Sequence, residues 1–330
     1  MSERGLLDLI VARLPGISAR EKILLCDSLD GESDPVLKSR PETESLLRRR
    51  LDSWWDADMV RMLAERDAQK ARLQGIDWVS WVDPGYPPLL REIYDPPVVL
   101  FYRGILPDSG KPLVAVVGTR RPSAPATAQA FDVSRGLGRA GVSVVSGLAL
   151  GTDAAAHRGN LDGGAPTFAV LGSGVDEVYP ASNRSLARSV LAGGGALISE
   201  YPPGTAPRKW NFPARNRIIS GLCRGVLIVE APEKSGALIT ARFALEQNRE
   251  LWVASSGVTR ENPVVFDKRG TGRLAEDGAE VVYSALDILE MWNVEPRGPE
   301  RRPGAGNASA ARDAVLAEAS SLACSLGIAL

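Results

Sequence analysis

The chain has 330 residues, more than the roughly 150 of an average domain, so one large domain with a smaller companion is expected. With 44% hydrophobic and 24% charged residues, and no apolar run near the roughly 18 residues of a membrane span, the composition is that of an ordinary globular protein rather than a membrane one. The net charge of −1 excludes a globally basic nucleic-acid binder, so any phosphate recognition has to be local.

The opening, MSERGLLDLIVARLPG, has too short an apolar stretch for a secretory signal, which predicts a cytoplasmic location. Residues 1–75 read as a small helical module, because Leu47, Leu51, Trp54/Trp55, Met59 and Met62/Leu63 recur every three or four positions. Leu14-Pro15-Gly16-Ile17-Ser18 is a short turn between apolar helices. It looks like the hairpin of small DNA-associated helical domains, although such turns are common and plain packing is the preferred reading. Residues 76–112, rich in Pro and aromatics, read as a connector with short strands.

From residue 113 to 294 the pattern changes to apolar runs alternating with helical stretches: LVAVVG (113–118), VSVVS (142–146), TFAVLG (167–172), ALISE (196–200), VLIVE (226–230) and LWVA (251–254). Continuously apolar strands are covered on both faces, and the spacing between them suits right-handed βαβ crossovers. The expected architecture is therefore α/β, a doubly wound parallel sheet of extended Rossmann-like type. EVVYS (280–284) and a helix around residues 286–292 close it. Residues 295–330 form a Pro/Gly/Arg linker and an Ala-rich tail, with Val315, Ala319, Leu322 and Leu326 at helical spacing. The tail is too short to bury a core, so it is either a docked helix or largely disordered.

Ligands of such sheets bind beyond the carboxyl ends of the strands. After the first run stands Gly118-Thr119-Arg120-Arg121-Pro122-Ser123, where amides and two guanidinium groups converge on a helix that Ser123 can cap, with Pro125 in its first turn. After the second stands Ser146-Gly147-Leu148-Ala149-Leu150-Gly151-Thr152-Asp153, a further candidate phosphate cradle. The richest segment runs from Lys209 through Trp210, Asn211, Phe212, Pro213, Arg215, Asn216 and Arg217, with cations and aromatics interleaved at a helix start that Asn211 can cap. That composition suits backbone phosphates and stacked bases, though Trp210 and Phe212 also fit a core. A last glycine turn, residues 230–240, leads into a helix bearing Gly236, Thr240 and Arg242. The basic residues Arg208, Lys209, Arg215, Arg217, Arg224, Lys234 and Arg242 face only Glu230 and Glu233 between positions 207 and 242, so this stretch is locally basic.

Other ligands fit poorly. The first turn has Gly118 alone in place of GxGxxG, and Ser146 stands where a ribose-binding acid belongs, which disfavours NAD and FAD. Neither GxxxxGK[ST] nor GxSxG occurs. Cys26, Cys223 and Cys324 lie far apart and His157 is the only histidine, so no disulfide framework, metal site or cofactor is expected. Asp153 and His157 share a helical face at i, i+4 and could form an acid/base pair; without a nucleophile or metal beside them the pair reads as structural.

Taken together and in this order, VAVVGTRRPS, SGLALGTDAAAHRG, AVLGSGVDEVYP, GALISEYPPGT, FPARNRIISGL and EAPEKSGALITARFALEQ resemble the DNA-processing protein A (DprA, or Smf) family. The likeness runs from about Tyr86 to Glu280, and a small N-terminal helical domain of SAM or helix-hairpin-helix type is in keeping with it. The resemblance implies a non-catalytic cytoplasmic homodimer that takes up incoming single-stranded DNA in natural transformation, protects it and helps load the RecA recombinase. It implies DNA contacts through Arg120, Lys209 and Phe212, with Arg215, Asn216 and Arg217 beside them. The turns carrying Gly118, Arg121, Ser146, Gly147, Gly236, Thr240 and Arg242 would line the pocket. The chain departs from the family where VPG is replaced by Val253-Ala254-Ser255-Ser256-Gly257 and GTNxLI by Gly270-Thr271-Gly272-Arg273-Leu274-Ala275. The winged-helix module that ends many members is not expected in the short tail. The competing readings are a nucleotide phosphoribohydrolase of the lysine-decarboxylase-like family, whose PGG signature is missing near Pro232, and a small-nucleotide signalling module.

Overall fold

A computed structural model of the chain describes residues 3–28, 39–258 and 267–295. The tail reading, with Cys324 and the apolar series from Val315 to Leu326, lies outside the described residues. The N-terminal part holds α1 (Glu3–Arg13), α2 (Ala19–Asp27), α3 (Arg40–Leu47) and α4 (Ala57–Leu73). Ser18, Ser39 and Asp56 cap α2, α3 and α4 through their side chains, each accepting from the amide three residues on. The single periodic helix expected across Leu47 to Leu63 is in fact two: Arg48 adopts a left-handed conformation (φ 53°) that ends α3, and Asp56 restarts the chain. The expected apolar face of α4 is also corrected. Met59 and Met62 are exposed, whereas Val60, Ala64, Ala68 and Ala71 are buried. In the turn before α2, Leu14 and Ile17 are buried, the packing role.

The next elements are β1 (Asp77–Ser80), the single turn α5 (Pro88–Arg91) and β2 (Val99–Gly104). There follow β3 (Leu113–Val117), α6 (Ala124–Arg139), β4 (Ser143–Ser146), α7 (Thr152–Asp162), β5 (Phe168–Val170), α8 (Arg184–Ala192), β6 (Ala196–Ser199) and α9 (Asn211–Gly221). The domain ends with β7 (Gly225–Ile228), α10 (Gly236–Glu246), β8 (Glu250–Ala254), α11 (Arg269–Glu276), β9 (Glu280–Val282) and α12 (Ala285–Met291). Among the described residues one nine-stranded sheet runs β1-β2-β6-β5-β4-β3-β7-β8-β9. From β6 to β9 it is parallel, as the apolar runs predict; β2 is antiparallel to both β1 and β6, so the stretch read as a connector extends the sheet by two strands.

Alternation within each strand sends side chains to two cores. Val114 and Val116 pack with Ala126, Ala130, Val133 and Leu137 of α6, while Ala115 and Val117 pack with Ile218 and Ile219 of α9 and Ala237 and Ala241 of α10. Each such fully buried Val, Leu or Ile contributes about 1.5–3 kcal/mol. The N-terminal helices close the first face further along: Leu9, Ile10, Val60 and Ala64 share a core with Phe101, Leu171 and Leu197, and Trp78 Nε1 donates to the Gly5 carbonyl at 3.3 Å. At the two departures from the family pattern Gly257 and Gly270 still sit against backbone, whereas Gly272 faces open space. A Cβ on Gly257 would lie 2.2 Å from the Val229 carbonyl oxygen, and Thr271 Oγ1 donates to the Gly257 carbonyl at 2.6 Å. Among the described residues no helix is long and apolar enough to cross a membrane.

Candidate nucleic-acid interface

Strand order reverses at β3, which lies between β4 and β7, and a cleft of about 630 Å³ opens beyond the carboxyl ends there. Thr119 and Arg120 come to it from the β3–α6 turn, Ala149 and Asp153 from the β4–α7 turn, and Lys234 and Gly236 from the β7–α10 turn. Lys209 stands just before α9, and on that helix Phe212, Arg215, Asn216 and Ile219, at i, i+3, i+4 and i+7, form the face that lines the cleft.

The turns are tightly interlocked. A Cβ on Gly118 would lie 2.6 Å from Thr152 Oγ1, and one on Gly151 (φ +75°) would lie 2.7 Å from the Arg120 carbonyl carbon and oxygen. Gly147 is equally constrained, with Arg215 Nη2 2.6 Å and Asp153 Oδ2 2.7 Å from where its Cβ would be. The backbone cradles expected in the first two turns are already filled by carboxylates of the protein. Glu230, fully buried, receives the Ser123 amide at 3.0 Å and the Ser123 hydroxyl at 2.6 Å, while Ser123 caps α6 as its sequence position predicts. Asp153 Oδ2 receives the amides of Gly147 (3.1 Å) and Ala149 (3.2 Å). What the cleft offers an anion is therefore mainly side-chain charge.

Arg120, Lys209 and Lys234 are exposed at its walls, and among the described residues none of the three forms an ion pair. The Arg120 guanidinium lies 5.7 Å from the Phe212 ring centre, within cation–π range. Phe212 is half-buried and its ring centre is 5.6 Å from that of Tyr179, tilted by 40°. Arg215 forms the floor: it donates to the carbonyls of Gly147, at 3.0 Å, and Val170. Burial pushes its guanidinium down to about 10, with Asp153 opposing the shift. Burial likewise raises the Asp153 carboxyl, against the pull of Arg215 and of the two amides. Asn216 donates to the Gly236 carbonyl at 3.2 Å and ties α9 to the start of α10, where Thr240 is buried one turn on.

Other residues named from sequence lie elsewhere. Arg217 points away from the cleft: its guanidinium holds Glu200 in a bidentate pair at 2.7 Å and Asp95 at 3.0 Å, and these carboxylates raise its pKa despite burial. Ser146 is fully buried and donates to the Val116 carbonyl at 2.7 Å. Arg121 is exposed outside the cleft lining, and Arg242 pairs with Glu246 on the outer side of α10. Asn211 is the first residue of α9 and not its cap; its amide side chain donates to the Gly172 carbonyl at 2.9 Å. Trp210 is 68% exposed, with Arg208 5.6 Å over its ring, so it is no core residue. His157 is buried with Nδ1 2.8 Å from Thr167 Oγ1, the structural reading of the Asp153/His157 spacing. Tyr179 and Lys234 line the cleft in addition to the site residues named from the sequence; Tyr179 stands nine positions beyond the end of β5, too far for the strand-end rule to reach.

A family model described as DNA recombination-mediator protein A matches residues 77–293. The chain is 46% identical over 218 residues to Protein Smf of Synechocystis sp., which covers 65% of this chain and 53% of that protein. It is 40% identical over 223 residues to the DNA processing protein DprA of Bacillus subtilis, covering 66% and 72% respectively. Among solved structures, DprA of Streptococcus pneumoniae superposes with a TM-score of 0.68 at 32% identity, over 86% of this chain and 97% of that one. DprA of Helicobacter pylori, whose structure is described for its single-stranded DNA binding mode, superposes with a TM-score of 0.56 at 28% identity, over 66% and 95%. With five of the six motifs that carry the likeness contributing to the cleft, the chain belongs to the DNA recombination-mediator protein A family.

Proposed function

We propose that the cleft binds single-stranded DNA, with Arg120, Lys209 and Lys234 on backbone phosphates and Phe212, flanked by Tyr179, as the platform on which a base stacks. The observation that carries this reading is the grouping in one open cleft of an aromatic ring and three cations that have no carboxylate partner among the described residues. A polymer uses such dispersed charges better than a mononucleotide does, because each exposed contact is weak and contacts along a strand add. The single-stranded DNA binding named for the Helicobacter relative supports the same assignment.

The role that follows is mediation of recombination: holding and protecting incoming single strands in the cytoplasm and helping to load the RecA recombinase during natural transformation, as a homodimer and without catalysis. In support of a binder, among the described residues none of the cleft hydroxyls of Thr119, Ser235 and Thr240 is hydrogen-bonded to a carboxylate or imidazole base. A gel-shift titration with single- and double-stranded oligonucleotides tests the reading. Salt-sensitive, sequence-tolerant preference for the single strand is expected. Absence of that preference, or release of free base from nucleoside monophosphates as a phosphoribohydrolase would give, overturns it.

A further inference from the structure

In a doubly wound sheet, the amides that open the helix after the first central strand are where nucleotide phosphates bind. Here that place, the start of α6, is taken from within. Glu230 reaches across from the end of β7, sets Oε1 3.0 Å from the Ser123 amide and Oε2 2.6 Å from the Ser123 hydroxyl, and is 1% exposed. Lys268 Nζ lies 4.0 Å from the same carboxylate. The remaining donors are reduced further, since the Ala126 amide goes to Ser123 Oγ and Pro125 has no N–H. The neighbouring turn repeats the device from a different element: Asp153 Oδ2 takes the amides of Gly147 and Ala149 beside the buried Arg215.

We infer that Glu230 and Asp153 are specificity-determining residues, internal anions that occupy the backbone sites of the β3–α6 and β4–α7 turns and so exclude the phosphates of free mono- and dinucleotides from them. A phosphate entering either turn would have to displace a hydrogen-bonded carboxylate and meet its charge at close range. Recognition is thereby left to Arg120, Lys209 and Lys234 at the walls. Their solvent-exposed contacts are individually weak and screened, and reach useful affinity only when a polyanion engages several together. This rests on the proposed single-stranded DNA reading of the cleft, and it adds why a fold built for nucleotides would select the polymer.

The test uses the full chain and four variants, Glu230→Gln, Glu230→Ala, Asp153→Asn and Asp153→Ala, each checked for folding by circular dichroism. Calorimetry with ADP and with inorganic pyrophosphate is run beside fluorescence anisotropy with a labelled single-stranded oligonucleotide. The expected result is that the unaltered chain prefers the oligonucleotide, and that the variants bind ADP or pyrophosphate at least about tenfold more tightly than it does, a larger gain than for the oligonucleotide. The Gln and Asn variants keep side-chain volume, so the readout survives if the Ala variants do not fold. Folded Gln and Asn variants with unchanged ADP and pyrophosphate affinity, or an unaltered chain that binds ADP as tightly as the oligonucleotide, overturn the inference. If the unaltered chain fails to bind the oligonucleotide while the variants gain ADP binding, the DNA reading falls and the role of the carboxylates stands.

Discussion

The Arg120 guanidinium stands 5.7 Å from the centre of the Phe212 ring, so the first cation of the cleft and its aromatic platform form one surface. A strand laid on it would have a phosphate near Arg120 while a base reaches Phe212. Arg120→Ala and Lys209→Ala should each weaken oligonucleotide binding about tenfold at 0.1 M salt and lower the slope of log affinity against log salt by about 1 per phosphate contact removed. Anisotropy titrations at several salt concentrations measure both. Unchanged affinity in both variants would remove these residues from the interface.

Phe212→Ala should behave differently. Loss of a stacked base costs about 1–3 kcal/mol, yet no phosphate contact disappears, so affinity falls while the salt slope stays. Phe212→Trp, which keeps a π-face, should retain most of the binding. A slope that falls with Phe212→Ala would mean that the ring acts only by holding Arg120 in place.

The contrast between side chains on one helix shows how much of the site was legible in the sequence. The apolar runs gave the strands, because parallel strands buried on both faces admit few polar residues, and the strand ends located the cleft. Within α9 composition reveals the cluster of cations but not the direction each side chain takes. Arg215 and Arg217 are two residues apart, which on a helix puts them roughly 200° apart, so both cannot face one cleft. Arg215 falls with Phe212 and Asn216, while Arg217 falls toward Glu200 and Asp95. The same geometry separates Thr240 from Arg242 on α10. Carboxylates that fill the turns from a distance, as Glu230 does across 107 positions, leave no local signal at all.

Arg217 therefore belongs to stability. Arg217→Ala leaves Glu200 without its bidentate partner in a largely buried setting, and removal of one member of such a pair costs about 3–5 kcal/mol. Urea denaturation should show that loss, while the folded fraction binds oligonucleotide within about twofold of the unaltered chain, less than one phosphate contact is worth. Arg217→Met, which fills the space, should be milder only if Glu200 can reach water. A loss of DNA affinity without loss of stability would return Arg217 to the interface.

Gly151→Ala tests the interlock between the first two turns. The new Cβ would meet the Arg120 carbonyl at 2.7 Å and Pro122 Cδ at 2.6 Å in a left-handed backbone, so the chain cannot accommodate it by a rotamer change. The turn carrying Arg120 has to move. Oligonucleotide affinity should fall at least as far as in Arg120→Ala, with the Arg120→Ala and Gly151→Ala losses not additive in the double variant. Additive losses would show that the two turns act independently.

The only histidine makes acid stability a clean test of the core beneath the cleft. His157 is fully buried, with Thr167 on Nδ1, and burial, aided by the Arg215 charge, pushes its imidazole down to about 3. In the unfolded chain it titrates near 6.5. Between these values the unfolded state binds the proton and the folded state does not, so stability is full above about pH 6.5 and falls as the pH drops, by up to about 1.4 kcal/mol per pH unit. Asp153 works in the opposite sense, because its raised carboxyl takes up a proton more readily in the folded state, and other carboxylates add their own slopes. A comparison with His157→Gln cancels these shared contributions. Gln can still hydrogen-bond Thr167 and carries no titrating group, so the difference in unfolding free energy between the two proteins should narrow or reverse from pH 7 to pH 4. Parallel profiles over that range would show that the imidazole is protonated in the folded protein after all.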